Sequence, residues 1–254
     1  MELFGTELRR WRRVRRMSQL ALASDAGVSA RHVSFVETAR ARPSRDMVLR
    51  LAEALEVPPD GRNALLEAAG YAAHYRRGPL EAEALAPVRR AMERLIARHD
   101  PYPAVVLDRL WRIVALNRCA GILFGAHGVG VGEDLLEALL AIGPNAVENW
   151  GEVGDHMRRR LRAESRAAGG LHRLDQVAAR LDRDPAVAGW TGAPSTGPLI
   201  ATRYRVPGGV LALFSTFTQF SGSEDAGVSE LKIELMFPAD AESEAALEAI
   251  AAKG

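Results

Sequence analysis

The sequence predicts an α+β chain: an all-α N-terminal bundle of five short helices, then an antiparallel sheet with flanking helices. Three observations predict it. In about the first seventy residues, apolar side chains recur at three- and four-residue spacing in five short runs, each broken by a turn signal. From Ala104 the pattern changes to β-branched, apolar runs such as "AVVLD" and "LWRIVALN". Charge divides along the same line. Up to Arg50 the chain carries Arg9, Arg10, Arg12, Arg13, Arg15, Arg16, Arg31, Arg40, Arg42, Arg45 and Arg50 against only Glu2, Glu7, Asp25, Glu37 and Asp46, although its overall charge is +1. A basic module joined to one that need not touch polyanions fits this split.

The N-terminal elements follow in order. In "FGTELRRWRRVRRM", Phe4, Leu8, Trp11 and Val14 share one helical face with arginines between them, which are expected to form a solvated surface. Ser18 is placed to cap a second helix with Leu20, Leu22 and Ala23, which Gly27 ends. Ser29 caps a third, through about Glu37, with Val33 and Val36 inward. "RARPS" is a turn, and Ser44 opens a fourth helix whose Met47, Val48, Leu51, Ala52 and Leu55 lie on one side. "VPPDG" breaks the chain before the fifth, in "RNALLEAAGY". Helices two and three are the informative pair. Close crossing at a steep angle needs a small contact residue and a turn that accepts left-handed backbone; Ala23 and Gly27 supply these. That is a helix-turn-helix, with the third helix propped outward toward a DNA major groove.

The stretch "SQLALASDAGVSARHVSFVETARARPSRDMVLRLAEAL" resembles the helix-turn-helix of the XRE family of phage-type repressors, a lambda-repressor-like fold, over about residues 5–57. The resemblance rests on Gln19, Ala23, Gly27, Val28, Ser29, Val33, Glu37, Pro43 and Leu51. It implies a phosphate-clamping role for Gln19 and puts Ala30, Arg31 and Phe35 at base-reading places, with Ser29 and Ser34 beside them. Ala30 cannot hydrogen-bond, so Arg31 carries most of the direct readout; a bidentate arginine–guanine contact contributes about 1–3 kcal/mol of discrimination. Phe35 lies either against a thymine methyl or in the core. Arg40, Arg42 and Arg45 sit where a loop would grip phosphates. Arg12 and Glu37 match a structural ion pair of phage repressors and read as scaffold.

The N-terminal domain is expected over residues 1–74, and a linker with a connecting helix over 75–98, broken by Gly78 and Pro79. Leu85, Val88, Met92, Leu95 and Ile96 form that helix's apolar stripe. A C-terminal domain is expected over 99–254. It opens with a tight hairpin turning at Asp108 and Arg109; Asn117 then caps a helix with Ile122, Leu123 and Phe124. "GAHGVGVGED" reads as a loop whose Asp134 caps the next helix. "VENWGEVGDHMRRRLRAES" is a long helix carrying Trp150, Val153, Met157 and Leu161, "LHRLDQVAARL" another, and "GWTGAPSTGP" a loop. Strands follow in "PLIATRYRV", "VLALFSTFTQF" and "SELKIELMFPAD", the first two joined through Gly208 and Gly209.

"IVALNRCAGILFG" resembles the opening of a PAS domain, a sheet backed by helices around a small-molecule cavity. With the repressor-like head, "PYPAVVLDRLWRIVALN", "ENWGEV", "RRRLRAE", "FSTFTQF" and "LKIELMFPAD" resemble the MmyB-like transcription regulators over nearly the whole chain. That resemblance implies transcription controlled by a small apolar ligand, fatty-acid-like in part of the family. On the residues themselves, Phe214, Thr216 and Thr218 share one strand face and Leu213, Ser215 and Phe217 the other. The first set is taken as the cavity face, its hydroxyls serving either as polar anchors or simply as β-formers beside a filled core. Leu107, Trp111, Asn117, Phe124, Trp150 and Met157 are further candidate wall residues. Of Arg158, Arg159 and Arg160, at most one can face inward as a carboxylate partner.

Other classes find few parts here. No serine elbow, paired-carboxylate pattern or cysteine–histidine motif is present, and "GAHGVGVGED" lacks the sixth-position glycine of G-x-G-x-x-G. The chain therefore reads as no enzyme, with no cofactor and no metal: its six histidines show no ligand spacing. The single cysteine, Cys119, excludes an internal disulfide and fits a reducing cytosol. No apolar run reaches the roughly 18 residues of a membrane span. The expected partners are a double-stranded DNA operator, a small apolar ligand and a second copy of the chain. The alternative makes the C-terminal domain only a dimerisation or protein-docking module.

Overall fold

Three serines set the register of the N-terminal helices. In the computed structural model, α1 (Glu2–Val14) is followed by α2 (Gln19–Asp25), α3 (Ala30–Glu37), α4 (Arg45–Ala54) and α5 (Pro59–Ala68). Ser18, Ser29 and Ser44 cap α2, α3 and α4, their hydroxyls accepting from the backbone N–H of Ala21, His32 and Met47. α5 begins three residues before the expected Arg62, because Pro59 is a favourable first helical residue: its missing N–H would have had no intrahelical partner. The structure describes residues 2–78, 80, 82–192, 199–220 and 225–253.

The chain divides into two units, one of Met1–Pro79, Arg162–Asp175 and Gly222–Ser229, the other of Leu80–Leu161, Gln176–Ser221 and Glu230–Gly254. In the first, Phe4, Leu8 and Trp11 of α1 pack with Leu22, Val33, Val36, Leu51 and Leu66 in one buried cluster. Gly27 takes the left-handed turn between α2 and α3 at φ +63°, and Ala23 is buried beside it. α1 crosses the end of α3 on bare backbone, since a Cβ on Gly5 would stand 2.5 Å from the Glu37 carbonyl oxygen. The arginines of α1 depart from the expected solvated face. Arg9 and Arg12 pair with Glu37, and Arg10 with Glu7 and the Gly169 carbonyl. Arg15 donates to the carbonyls of Leu55, Arg166 and Ala167, groups at helix ends that lack intrahelical partners. Arg13 and Arg16 are exposed.

The remaining elements are a 3-10 turn (Glu83–Leu85), α6 (Ala86–Ala97), β1 (Ala104–Leu107), β2 (Ile113–Leu116), α7 (Arg118–Gly125), α8 (Leu135–Ala146), α9 (Trp150–Ala167), α10 (His172–Leu181), α11 (Pro185–Ala188), β3 (Thr202–Val206), β4 (Gly209–Thr218), α12 (Ala226–Ser229), β5 (Lys232–Pro238) and α13 (Ala241–Lys253). The five strands form one antiparallel sheet in the order β2-β1-β5-β4-β3. The α+β layout of two strands, a helical insert and three strands is thus observed.

Several local expectations change. The first hairpin is wider than a tight turn: β2 starts at Ile113, and the Asp108 carboxylate organises the connection by accepting from the N–H groups of Leu110 and Arg112. Trp111 in that connection takes φ +66°, unusual for a large side chain. Part of the expected "GWTGAPSTGP" loop, residues 193–198, lies outside the described residues, as does Pro79 of the linker. The C-terminal helix α13 adds an element to the expected set.

One sheet face packs on α6, where Met92 and Ile96 meet Ala104, Val106 and Ile233 in a buried cluster. On β5, Ile233 and Leu235 join that cluster, so the alternate residues Glu234 and Met236 point to the opposite face. That opposite face carries the site.

Candidate functional site

The first candidate surface is the outer side of α3. Arg31 is exposed, and its guanidinium carbon stands 5.1 Å from the centroid of the Phe35 ring one turn on. Phe35 is half-buried, between its two expected placements, while Ala30 and Ser34 are also partly accessible. Ser29 is exposed with its hydroxyl accepting the cap bond, which leaves its O–H able to donate. Arg40, Arg42 and Arg45 are exposed in the segment after α3. Two of them are already oriented by neighbours: Arg42 reaches toward the Ala69 carbonyl and the Tyr71 ring, and Arg45 toward Nδ1 of His74 at 2.9 Å.

Gln19 is held from below. Its Nε2 donates to Glu37 at 2.8 Å, and Glu37 in turn takes Arg12 on both carboxylate oxygens. Burial works against the Glu37 charge, but the bonds from Arg12 and Gln19 and the positive charges of Arg12 and Arg9 outweigh it, so its pKa lies below the usual carboxylate range. An amide NH2 has two hydrogens; the one not given to Glu37 belongs to a group with a fixed direction.

The second candidate site is a pair of cavities in the second unit. The larger, about 630 Å³, is bounded by α7, α8, α13 and the β3–β4 hairpin, with Ile122, Ala138, Ile142, Leu211, Ala246 and Ile250 in its wall. The smaller, about 130 Å³, lies against α9 and the middle of the sheet, with Trp111, His156, Arg160, Thr202, Phe217 and Glu234 in its wall. Phe124, Leu135, Leu139, Tyr204 and Met236 line both. The cavities therefore share one partition.

Four of the expected wall residues are brought together at the smaller cavity: Trp111, Phe124, Trp150 and Met157. Trp150 also satisfies its indole N–H, donating to Asp184 at 2.9 Å. Five others are not on either wall. Leu107 is buried in the sheet. Asn117 has its side chain committed: the oxygen accepts from Ala104 and Ala120, and the nitrogen donates to the Tyr102 carbonyl. Phe214, Thr216 and Thr218 lie on the α6 side, a reversal of the expected phase. Register explains it: Thr216 pairs with Leu235 and Thr218 with Ile233, and directly paired residues share a face. Phe214 stacks on Phe237 at 5.5 Å. The alternate set reaches the cavities, Leu213 the larger, Ser215 and Phe217 the smaller.

His156, Arg160, Tyr204 and Met236 were not among the expected wall residues, although Arg160 was one of three arginines considered. On α9 the signal was present: Trp150, Val153, Met157 and Arg160 recur at three- and four-residue spacing, the period of one helical face. Burial, with Arg159 and Arg160 nearby, holds the His156 pKa below its ordinary value, so the imidazole is neutral at pH 7. Burial beside Glu234 raises the Tyr204 phenol, which stays protonated.

A capped, outward α3 and a cavity-bearing sheet meet two family descriptions. Residues 3–65 match a helix-turn-helix domain, and residues 88–250 match the MmyB-like transcription regulator ligand binding domain. The chain belongs to the MmyB-like transcription regulators. It is also similar to the HTH-type transcriptional repressor RghR of Bacillus subtilis (strain 168), 39% identical over 84 residues. That alignment takes in 32% of this chain and 60% of the repressor, less than two thirds of its length. As an MmyB-like regulator the chain joins a helix-turn-helix head to a ligand-binding domain, and both cavities lie within residues 88–250. Among the described residues no helix is long and apolar enough to cross a membrane, and no three metal-ligating groups cluster.

Proposed function

We propose that this MmyB-like regulator is a cytoplasmic, dimeric DNA-binding protein whose operator affinity responds to a small apolar ligand with a fatty-acid-like chain. The single observation that supports the ligand class best is the larger cavity. Its 630 Å³ falls inside the range of about 300–1,000 Å³ typical of small-molecule sites, and its wall is mostly apolar on three helices and the sheet, with His127, Tyr204 and Arg205 as the polar side chains. Arg31 reads base edges, Phe35 lies toward a thymine methyl, and Gln19, Ser29, Arg40, Arg42 and Arg45 hold phosphates, with Ala30 and Ser34 lining the close approach of α3. One short helix in one groove buries too little surface for operator affinity, so two heads about one helical turn apart read a palindromic site. Control is linkage: a ligand changes operator binding only through different affinities for two arrangements of the dimer.

The test has two arms. Solvent extraction of the purified protein, followed by mass spectrometry and a thermal-shift panel of C8–C18 acids and alcohols, should find a retained or stabilising chain. No such molecule leaves the C-terminal domain as a dimerisation or docking module. Selection from random duplexes should return a palindrome, and Arg31→Ala should lose preference at one base pair of each half-site.

A further inference from the structure

The outward face of α6 carries a row of arginines. Met92 and Ile96 turn to the sheet and are buried, which leaves Arg90, Arg94 and, at the C-cap, Arg98 on the opposite side, all exposed. Four residues make a little more than one helical turn, so the three stand in line, about 6 Å apart along the axis and about 12 Å from first to last. Pro87 and Ala97, also exposed on that side, are short and leave the guanidinium groups outermost. Among the described residues none of the three has a carboxylate within ion-pair distance. Other arginines on this unit's helices are held: Arg89 donates to the Leu80 carbonyl, Arg158 and Arg159 pair with Asp155, and Arg180 pairs with Glu137. Helix stability does not explain the row. Like charges four residues apart repel, and the negative end of the helix accounts for Arg94 and Arg98 but not for Arg90 in the middle. Nor does composition explain it, since beyond Arg50 acidic residues outnumber basic ones.

From this we infer that the outer face of α6 is a second DNA-contacting surface, gripping backbone phosphates of the duplex that the head binds. The inference rests on the DNA-binding reading of the head, and it gives a polyanion to residues that lie inside the match to the ligand binding domain. A straight row of unpaired cations fits a partner whose own charges are closely and regularly placed. Duplex DNA carries one negative charge per about 1.7 Å of axis, so a row of about 12 Å meets a phosphate at each guanidinium. The planar fork of arginine matches phosphate oxygens, with two parallel N–H donors for each contact. α6 follows α5 after residues 69–85. Once the head holds a duplex, this tether gives the remaining phosphates a high effective concentration at α6, so contacts too weak to act alone add to the whole affinity. They carry no base preference.

The experiment uses the full chain and a mixed-sequence duplex of about 40 bp, with affinity read by fluorescence anisotropy between about 50 and 200 mM salt. In the triple variant Arg90→Gln, Arg94→Gln, Arg98→Gln, the slope of log affinity against log salt should fall by about 2.7, or about 0.9 for each phosphate released. The corresponding triple substitution to Lys, which keeps the charges, should hold the native slope. Arg90→Gln alone should lower it by about 0.9 and keeps the test decisive if the triple variant does not fold. An unchanged slope in a folded Gln variant overturns the second surface and leaves the reading of the head standing. Failure of the unaltered chain to bind the duplex at any salt overturns both. An unchanged slope combined with sedimentation on phosphatidylglycerol vesicles, seen for the native chain and lost in the Gln variant, overturns the DNA assignment and gives the face to a lipid surface.

Discussion

Arg12 closes a two-pronged ion pair on Glu37, its Nε and Nη2 at 2.6 and 2.9 Å from the two carboxylate oxygens, and the Glu37 side chain has no exposed surface. This joins α1 to the end of α3, and Gln19 adds α2 to the same carboxylate. The pair fixes the angle at which α3 is presented.

Removing Glu37 strands a buried cation, so Glu37→Ala should destabilise the head by about 3–5 kcal/mol in urea denaturation at pH 7. The acid limb gives a second check. A carboxyl whose folded pKa lies below its unfolded value of about 4.3 contributes fully above that value, and loses the contribution as pH falls through the folded pKa. Between pH 5 and the folded pKa, stability of the native chain should therefore drop more steeply than that of Glu37→Gln. Parallel curves would remove Glu37 from this role.

The exposed arginines should separate by salt dependence. Arg40→Ala should weaken all duplexes alike and lower the slope of log affinity against log salt by about 0.9, one phosphate's share. Arg31→Ala should instead relax base preference, by about 1–3 kcal/mol at one position. Fluorescence anisotropy with matched and mismatched duplexes between about 50 and 200 mM salt, a span of about 0.6 log unit, distinguishes the two. A uniform loss with Arg31→Ala would make it a phosphate contact.

The head was legible because its determinants are local. A serine cap, a small residue at the crossing and a glycine at φ +63° act within one or two turns of the chain. The cavity face was not. Along β4 "LFSTFT" offers large and hydroxyl side chains on either side, with Ser215 and Thr216 both exposed, so only pairing with a strand distant in sequence decides the phase. Ser215, pairing with Met236, and Thr216, pairing with Leu235, look interchangeable until β5 is in place. The helix α13 went unseen for another reason: alanines spread round "AESEAALEAIAAK" leave no sharp apolar stripe, although Ala246 and Ile250 line the larger cavity.

Cys119 is buried at the start of α7, and its burial, aided by the nearby Asp100 charge, pushes the thiol pKa up to about 11. At pH 8 the native protein should therefore resist iodoacetamide over hours, whereas the urea-unfolded chain should alkylate within minutes, as intact-mass spectrometry would record. Rapid native alkylation would mean that α7 opens readily, and with it one wall of the larger cavity.

Two substitutions on α8 should behave oppositely because one meets a filled space and the other a void. A Cβ on Gly143 would stand 2.3 Å from the Trp150 ring, which cannot give way without breaking its bond to Asp184. Gly143→Ala should thus cost about 1–3 kcal/mol, the usual range for overpacking a tight contact. Ala138 faces the 630 Å³ cavity, so Ala138→Trp places its indole in open volume and should change stability by less than about 1 kcal/mol. The tryptophan would occupy the space proposed for the ligand chain. A dodecanoate concentration of 100 times Kd stabilises the native chain by about 2.7 kcal/mol; that increment should vanish in Ala138→Trp and survive in Gly143→Ala. If Ala138→Trp keeps the full increment, the ligand chain lies elsewhere and the larger cavity is not its site.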